Sequence, residues 1–167
     1  MSVQTFIRVD HAGEYGAVRI YSGQLAVLGR GKHGPQLRHM KAQEDHHLET
    51  FAKLIAERRG RPTALLPLWH VAGFALGALT AALGPEAAMA CTVAVEETID
   101  AHYAKQRDAL APDEAPLRET IEQFRLEEVE HRDIGYENGA RQAPAYPVLH
   151  KLVSLGCKAA IGLSEII

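Results

Sequence analysis

One motif occurs twice in this chain and restricts the folds that it can adopt. A lone glutamate is followed, at nearly the same distance in both copies, by a Glu-x-x-His motif. The first copy contains Glu14, Glu44 and His47, and the second contains Glu96, Glu128 and His131. Residues i and i+3 lie on one face of an α-helix, so each Glu-x-x-His directs a carboxylate and an imidazole towards the same point. The repeat therefore predicts four helices that carry one shared cluster.

The charge of that cluster favours metal ions. Four carboxylates that face one another would repel and raise one another's pKa, whereas two divalent cations would neutralise them. Oxygen-rich ligation with one imidazole per metal is typical of iron or manganese, while a structural zinc site prefers thiolates. A single Glu-x-x-His is common on a solvated helix face, but two copies within apolar stripes favour buried ligands. We therefore predict an all-α, ferritin-like four-helix bundle with a di-metal centre.

Apolar residues at helical spacing place the motifs on predicted helices that cover residues 8–29, about 37–60, 85–110 and about 117–135. Polar neighbours of the motifs compete for the same roles. Glu96 shares a stripe with bulky apolar residues, whereas Glu97 stands among alanines, so the pattern favours Glu96 as the ligand. Asp45 and His46 could instead support the metal ligands through hydrogen bonds. We expect four polar neighbours on the surface, namely Asp45, His46, Glu127 and Glu130.

Two further segments are strongly apolar. Residues 64–83 carry no charge and are long enough to span a bilayer, but a single span would separate the six predicted ligands. We therefore predict a crossover helix with Trp69 and Phe74 outward, which covers the bundle, a partner subunit or lipid headgroups. Its Gly-x-x-x-Gly spacing would permit close helix packing. Residues 148–167 form either an amphipathic helix in a membrane interface, with basic residues towards the headgroups, or a sixth core helix.

Composition predicts one globular domain, residues 1–167, with a net charge of −3 and a hydrophobic content of 47%. Lysines and arginines are scattered, so we expect no nucleic-acid partner. The one arginine cluster, residues 58–61, follows a helix, where cations favour the carbonyl end. Cys91 and Cys157 lie in apolar surroundings and are predicted as free, buried residues of a reducing compartment. The N-terminus has no apolar segment typical of a signal peptide.

The chain also resembles the demethoxyubiquinone hydroxylase family, the di-iron monooxygenases of ubiquinone biosynthesis. The resemblance runs from near residue 6 to the C-terminus. It rests on RVDHAGEYGA at residues 8–17, the motif of Glu44 and His47, TVAVEE at 92–97, Ile99, His102-Tyr103, the motif of Glu128 and His131 with RDIG at 132–135, and APAY at 143–146. The short connection between the fourth and fifth helices and the absence of a targeting segment favour a bacterial enzyme or a shortened chain.

The resemblance implies a ligand set and a reaction. It implies two iron ions per chain, held by Glu14, Glu44, His47, Glu96, Glu128 and His131. His102 and Tyr103 match a His-Tyr pair of the family near the site, which orients ligands or transfers electrons. The implied reaction is hydroxylation of a polyprenyl-methoxy-methyl-benzoquinol with O2. The iron pair delivers two electrons, and the others come from the reduced ring or from a reductant such as NADH. The chain contains no Gly-x-Gly-x-x-Gly after a predicted strand, so any nicotinamide is expected to act without a Rossmann domain or through a separate reductase.

The implied substrate lives in a bilayer, so we expect a peripheral membrane protein on the cytoplasmic face of a bacterial inner membrane. Its expected partners are the membrane surface, further copies of the chain in a homo-oligomer, and other proteins of ubiquinone biosynthesis. Two alternatives keep the metal site, namely iron storage in a ferritin cage and peroxide reduction by a rubrerythrin-like protein. A third alternative is a non-enzymatic helical scaffold with the glutamates at its surface.

Overall fold

The computed structural model describes residues 2–167, so Met1, the first residue of the predicted domain, lies outside the described part. It contains six α-helices and, within those residues, no strand. Short 3-10 turns at Pro112–Glu114 and Ala140–Gln142 precede the last two helices. The helices are α1 Val3–Leu28, α2 Gly34–Glu57, α3 Leu66–Ala82, α4 Pro85–Ala109, α5 Ala115–Glu137 and α6 Tyr146–Ile166. The predicted all-α, ferritin-like fold class is confirmed.

Helix α1 begins at Val3, whereas the apolar stripe predicted a start at Arg8. The reason is a helix cap that periodicity does not reveal. The side-chain oxygen of Ser2 accepts a hydrogen bond from the backbone N–H of Thr5 at 3.2 Å, which satisfies one of the free donors of the first turn. The ends of the other helices lie close to their predicted positions.

The four helices that carry the repeated motif form the bundle. Helix α1 packs against α2 and α4 packs against α5, while α1 also contacts α4 and α2 contacts α5. One apolar cluster of the core surrounds Phe51, Tyr103 and Phe124. A second surrounds Tyr21 and Met40. This packing directs one face of each of the four helices towards a common interior.

Helix α3 packs closely along α1 through glycines. A Cβ atom on Gly77 would overlap the backbone carbonyl oxygen of Ile20, and one on Gly73 would lie 2.9 Å from the carbonyl oxygen of Gly16. The predicted close packing at the Gly-x-x-x-Gly spacing is therefore confirmed. The prediction that Trp69 points outward is wrong, because this side chain is half-buried and its indole N–H donates to Ser164 Oγ at 3.2 Å.

Helix α6 lies on the outside of α4 and α1. Only Val153 and Ser164 are fully buried along its length, so it is a surface helix and not a core helix. Large apolar side chains are exposed on the outer faces of both added helices. They are Leu68, Val71, Phe74 and Leu79 on α3 and Val148, Leu152, Leu155, Leu163 and Ile166 on α6. Among residues 2–167, no helix is long and apolar enough to cross a bilayer, and this includes α3.

The arginine cluster after α2 has a structural role, as predicted. Both terminal nitrogens of the Arg58 guanidinium donate to the carboxylate of Glu114, at 2.7 and 2.6 Å, and Arg61 donates to the carbonyl oxygen of Ile167 at 2.8 Å. The two cysteines are free, as predicted; Cys91 is buried and the other is half-buried.

Candidate metal centre

The bundle brings the six residues of the repeated motif together. Glu14 comes from α1, Glu96 from α4, and each of α2 and α5 contributes one Glu-x-x-His pair. They form two groups in which the ligand atoms lie within 4.8 Å of one another. The first contains Glu14, Glu44, His47 and Glu128, and the second contains Glu44, Glu96, Glu128 and His131. Glu44 and Glu128 belong to both groups, so each offers a carboxylate to both.

Several carboxylate oxygens of the cluster have no hydrogen-bond partner within residues 2–167 and are available to cations. Every one of the six side chains is buried, so the alternative of surface glutamates in a scaffold is wrong. Among the described residues, both oxygens of Glu44 and Glu128 have no hydrogen-bond partner. The same holds for Oε2 of Glu14 and Glu96. Unpaired buried polar atoms cost free energy, and oxygen-rich ligation suits hard or borderline cations. These groups could hold metal ions.

Both histidines present Nδ1 to the carboxylates. His47 Nδ1 lies 3.1 Å from Glu128 Oε1 and 3.5 Å from Glu14 Oε2. His131 Nδ1 lies 3.0 Å from Glu44 Oε1 and 3.2 Å from Glu128 Oε2. Neither Nδ1 atom makes a hydrogen bond within the described chain. Each group therefore contains one imidazole nitrogen among carboxylate oxygens.

The outer nitrogens of the two rings have partners that hold the rings in place. His47 Nε2 lies 2.7 Å from Glu127 Oε2, and His131 Nε2 lies 3.0 Å from Gln43 Oε1. When each Nε2–H donates, the lone pair of Nδ1 is left free for a metal. The prediction of Glu127 as a solvated charge is therefore wrong, because a ring from α2 reaches it across the bundle. Glu130 is exposed, as predicted.

Two tyrosines donate hydrogen bonds to Glu14 and Glu96, the two glutamates that each belong to only one of the groups. The hydroxyl of Tyr21 donates to Glu96 Oε1 at 2.8 Å, and that of Tyr103 donates to Glu14 Oε1. Burial, followed by the neighbouring carboxylates, raises the pKa of both hydroxyls well above the usual value. They therefore remain protonated donors. The family resemblance indicated Tyr103, whereas the role of Tyr21 was missed although it lies on the apolar stripe of α1.

The other predicted neighbours are separate from the cluster. The carboxylate of Glu97 accepts a hydrogen bond from the Tyr136 hydroxyl at 2.6 Å, and lies 2.9 Å from His150 Nε2. Asp45 is half-exposed and His46 is exposed, as predicted for surface residues. His102 does not reach the cluster. It lies at the edge of the bundle, against Gln106.

The electrostatics of the metal-free cluster are unfavourable. Burial and then the neighbouring carboxylates raise the pKa of Glu44 and Glu96 well above the ordinary value. Burial also raises the pKa of Glu128, but the imidazoles of His131 and His47, whose Nδ1 atoms lie 3.2 and 3.1 Å from its oxygens, outweigh burial and lower the pKa to about 2. Burial lowers the pKa of His47, yet its carboxylate partners raise it to about 12. Without cations the cluster must therefore retain protons to compensate its charge.

An apolar cavity of about 500 Å³ runs beside the centre, between α1, α3 and α6, with α4 as its floor. Its wall includes Gly13 and Val95, the neighbours of Glu14 and Glu96 in the sequence. Apart from its chain neighbours and the nearby backbone of α1, no atom of the described chain lies within 4 Å of the Cβ position of Gly13, so α1 leaves open space there. The cavity offers apolar space next to the helix segments that carry two of the glutamates.

The chain is similar over almost its whole length to proteins of one family. The family described as ubiquinone biosynthesis protein COQ7 matches residues 1–164. The chain is 65% identical over 164 residues to 3-demethoxyubiquinol 3-hydroxylase of Rhodospirillum rubrum, covering 98% of this chain and 77% of that protein. It is 56% identical over 168 residues to NADPH-dependent 3-demethoxyubiquinone 3-hydroxylase of Rattus norvegicus, with the same coverage. It is 44% identical over 176 residues to 5-demethoxyubiquinone hydroxylase of Saccharomyces cerevisiae, covering 95% and 76%.

Proposed function

The chain belongs to the family of ubiquinone biosynthesis protein COQ7, and from this premise we propose that it is a di-iron monooxygenase of ubiquinone biosynthesis. Its substrate is demethoxyubiquinol, a polyprenyl-methoxy-methyl-benzoquinol, which it hydroxylates with O2. The observation that carries the proposal is the buried cluster of four glutamates and two histidines, in a chain similar throughout to named hydroxylases. Residues 1–167 form one hydroxylase domain in this proposal.

The proposed ligands divide between two iron ions. Glu14 and His47 would hold one ion, Glu96 and His131 would hold the other, and Glu44 and Glu128, which belong to both groups, could serve either ion. When bound, the iron pair supplies the activation of O2 and two of the electrons that its reduction consumes. Carboxylates suit this task because they can change their coordination as charge changes.

The surrounding side chains hold the ligands in position. Tyr21 and Tyr103 donate hydrogen bonds to the outer oxygens of Glu96 and Glu14, which leaves the other oxygen of each carboxylate free for iron. The hydrogen bond between His47 and Glu127 keeps the Nδ1 lone pair directed inward. Preorganised partners of this kind reduce the rearrangement needed during the reaction.

The apolar cavity is the proposed binding site of the quinol. Small residues on α1, among them Gly13, Gly16 and Ala17, leave room for a flat ring beside Glu14. The remaining wall is apolar, which suits a prenyl chain. The ring is then adjacent to α1 and α4, and the tail extends between α3 and α6.

The membrane surface is the proposed source of the substrate. The exposed apolar side chains of α3 and α6 flank the cavity, and a lipid-soluble quinol must reach that cavity from a bilayer. Lys151 and Lys158 are exposed on α6 and can approach anionic headgroups. We therefore place the protein on a bilayer as a peripheral protein. The similarity to the Rhodospirillum rubrum enzyme and the free cysteines favour the cytoplasmic face of a bacterial inner membrane.

The hydroxylated C–H bond supplies two of the four electrons that O2 consumes, and the two that the iron pair would give are replaced from the quinol ring, from NADH or from a separate reductase. Several relatives are named as NADPH-dependent enzymes, and no Gly-x-Gly-x-x-Gly follows a strand within the described residues. The nucleotide is therefore used without a Rossmann fold in this chain, or by a partner. A homo-oligomer and complexes with other proteins of ubiquinone biosynthesis also belong to the proposal.

The test combines iron content with turnover. Anaerobic reconstitution should load about two iron ions per chain, and the loaded protein should convert a demethoxyubiquinol analogue to its hydroxylated product when O2 and a reductant are supplied. Glu128→Ala should lose both iron and product, whereas Glu130→Ala, a change at an exposed position of the same helix, should retain both. Iron uptake into a hollow multi-subunit cage, or peroxide reduction without hydroxylation, would replace this proposal with storage or peroxidase function.

A further inference from the structure

A second buried polar cluster lies beside the proposed metal centre. Gln106 Nε2 donates to Asp10 Oδ1 at 2.7 Å and lies 2.8 Å from His102 Nε2. His102 Nε2 lies 3.5 Å from Asp10 Oδ1. Asp10 and Gln106 are each 2% exposed, whereas the His102 side chain is 16% exposed. The cluster therefore runs from the solvent at His102 to the buried carboxyl of Asp10.

The inner end of this cluster is next to the metal ligands. Asp10 and Glu14 lie one turn apart on the same face of α1, and Tyr103 and Gln106 have the same relationship on α4. The charge of Asp10 acts on Tyr103, and that of Glu14 acts on Asp10. Asp10 Oδ2 and the amide oxygen of Gln106 have no hydrogen-bond partner among residues 2–167. An unsatisfied buried carboxyl is costly, which points to a function other than stability.

Hydroxylation by O2 requires protons at the centre. One oxygen atom enters a C–H bond, and the other is reduced to water with two electrons from the reductant and two protons from the solvent. The glutamates that would hold iron are at most 1% exposed, so a chain of protein groups is the direct way for a proton to reach them. The electrons reach the centre from the reductant by a different route.

We propose that His102 and Asp10 form a proton-supply path to the metal centre, and that Gln106 is the residue that positions them. This inference rests on the proposed hydroxylase function. His102 takes a proton from the solvent and passes it to Asp10 Oδ1. Asp10 holds the proton on its carboxyl, one helical turn from Glu14, and would supply in succession the two protons that reduction of the second oxygen atom to water consumes. His102 then restores the proton, and no electron passes along this path.

The surroundings of Asp10 suit a group that takes up and releases a proton. Burial raises its pKa to about 6, although His102 and Gln106 act in the opposite direction. A pKa near the working pH allows both protonation and release. The titratable groups that act on Asp10 are His102 on α4 and Glu14 on its own helix. The side-chain amide nitrogen of Gln106 contacts both groups and positions His102 Nε2 at 3.5 Å from Asp10 Oδ1.

The experiment compares three variants of the iron-loaded protein. Asp10→Asn keeps the size of the side chain but cannot carry the proton, and Gln106→Met removes the bridge without a change in charge. Both should lower kcat about tenfold or more, enlarge the solvent deuterium isotope effect on kcat, and leave KM for the quinol and the iron content unchanged. Asp108→Asn, at a 70% exposed side chain of α4, is the matched control and should behave like the parent protein.

Infrared spectroscopy supplies a measurement that does not depend on turnover. The parent protein should show the carbonyl band of a protonated, buried carboxylic acid, and Asp10→Asn should lose it. Parent-like kcat and isotope effect in Asp10→Asn would overturn the proposal, as would loss of iron or a raised KM with an unchanged isotope effect. If Asp10→Asn does not fold, Gln106→Met decides by the same criteria. If the parent protein does not hydroxylate, the proposed function fails, and the infrared band still tests whether Asp10 holds a proton.

Discussion

Glu127 Oε2 lies 2.7 Å from Nε2 of His47, and this contact determines which nitrogen of the ring faces the carboxylate cluster. The carboxylate is charged and half-buried, and its hydrogen bond with the imidazole lowers its pKa although burial acts to raise it. An ionised acceptor at Nε2 keeps a proton on that nitrogen. The Nδ1 atom, 3.1 Å from Glu128 Oε1, then presents its lone pair to a metal.

Removal of this support should weaken iron binding while the ligands themselves remain. We expect Glu127→Ala to lower iron affinity roughly 10- to 100-fold, because partners of this kind orient the ring and raise its basicity. Iron titration of the metal-free protein gives the affinity. The control is Glu130→Ala on the same helix, at an exposed side chain. Equal affinities for the two variants would show that the contact does not hold the ring.

Glu96 and Glu97 are neighbours in the sequence, but their contacts predict opposite effects of substitution. Glu96→Ala removes a member of the cluster, so iron content and hydroxylation should both be lost. Glu97→Ala instead removes hydrogen bonds that join α4 to Tyr136 on α5 and His150 on α6. It should keep its iron and lose about 1 kcal/mol of unfolding free energy. Iron analysis and urea unfolding measure the two effects. If Glu97→Ala lost iron and Glu96→Ala kept it, Glu97 would be the metal ligand instead of Glu96.

The positions of the six cluster residues could be predicted because they depend on the phase of single helices. A Glu-x-x-His motif places its side chains on one face whatever surrounds it, and the repeat links the four helices. The contacts around the cluster depend on how helices sit relative to one another. On α5 alone, Glu127 belongs to the same polar surface as Glu130, and only the imidazole of His47 distinguishes it. Gln43 and Tyr21 were missed for the same reason.

The orientation of α3 could not be predicted from its own sequence. Residues 66–82 are apolar on every side, so the helix has no polar face that marks the solvent. The side that faces α1 is determined by glycines, since Gly73 and Gly77 allow the backbones to approach. That arrangement places Trp69 on the side of Ser164 and leaves Val71 outward.

Close packing of α1 and α3 should make Gly77 sensitive to a single methyl group. A Cβ atom there would overlap the carbonyl oxygen of Ile20, and backbone atoms cannot rotate away. We expect Gly77→Ala to lower the unfolding free energy by about 1–3 kcal/mol, as measured by urea denaturation. Gly162→Ala is the control, since among residues 2–167 no atom beyond its chain neighbours and the nearby backbone of α6 lies within 4 Å of its Cβ position. It should stabilise α6 by roughly 0.5–1 kcal/mol, and equal effects of the two changes would contradict the close packing.

Removal of iron should make the stability of the protein depend on pH. The folded-state pKa values of Glu44 and Glu96 are raised above the ordinary value of 4.5, so the folded chain binds more protons than the unfolded chain. Their contribution is present below that value and is lost as pH rises through the raised pKa. His47 acts in the same direction, from its ordinary value of 6.5 up to about 12. Glu128, with a pKa of about 2, loses its contribution only in acid.

The metal-free protein should therefore become less stable between about pH 5 and pH 8. Bound iron would compensate the negative charge of the carboxylates, so the stability of the loaded protein should vary less over the same pH range. At a hundredfold excess of free iron over the dissociation constant, the loaded protein should be about 2.7 kcal/mol more stable. Urea unfolding of both forms across this range measures the difference. Identical midpoints for the two forms, or rising stability of the metal-free form, would contradict the proposed site.

Membrane docking predicts that outward apolar residues serve the substrate and not the fold. Val71 and Leu79 on α3 are 66% and 67% exposed, and Leu155 and Ile166 on α6 are also exposed. Burial of such a side chain is worth about 1.5–3 kcal/mol, so a few of them are sufficient for reversible docking. We expect Val71→Glu with Leu79→Glu, and separately Leu155→Glu with Ile166→Glu, to keep helicity and iron content.

Both double variants should lose co-sedimentation with vesicles of phosphatidylcholine and phosphatidylglycerol. They should also lose turnover of a long-tailed quinol while a short-tailed, soluble analogue is still hydroxylated, because only the long tail requires a bilayer. Leu126→Glu is the control, since this side chain is 56% exposed but lies on α5, which packs against α4 and α2. It should retain vesicle binding. If both double variants bind vesicles like the parent protein, the outer faces of α3 and α6 are not the docking surface; if they unfold, those side chains stabilise the bundle instead.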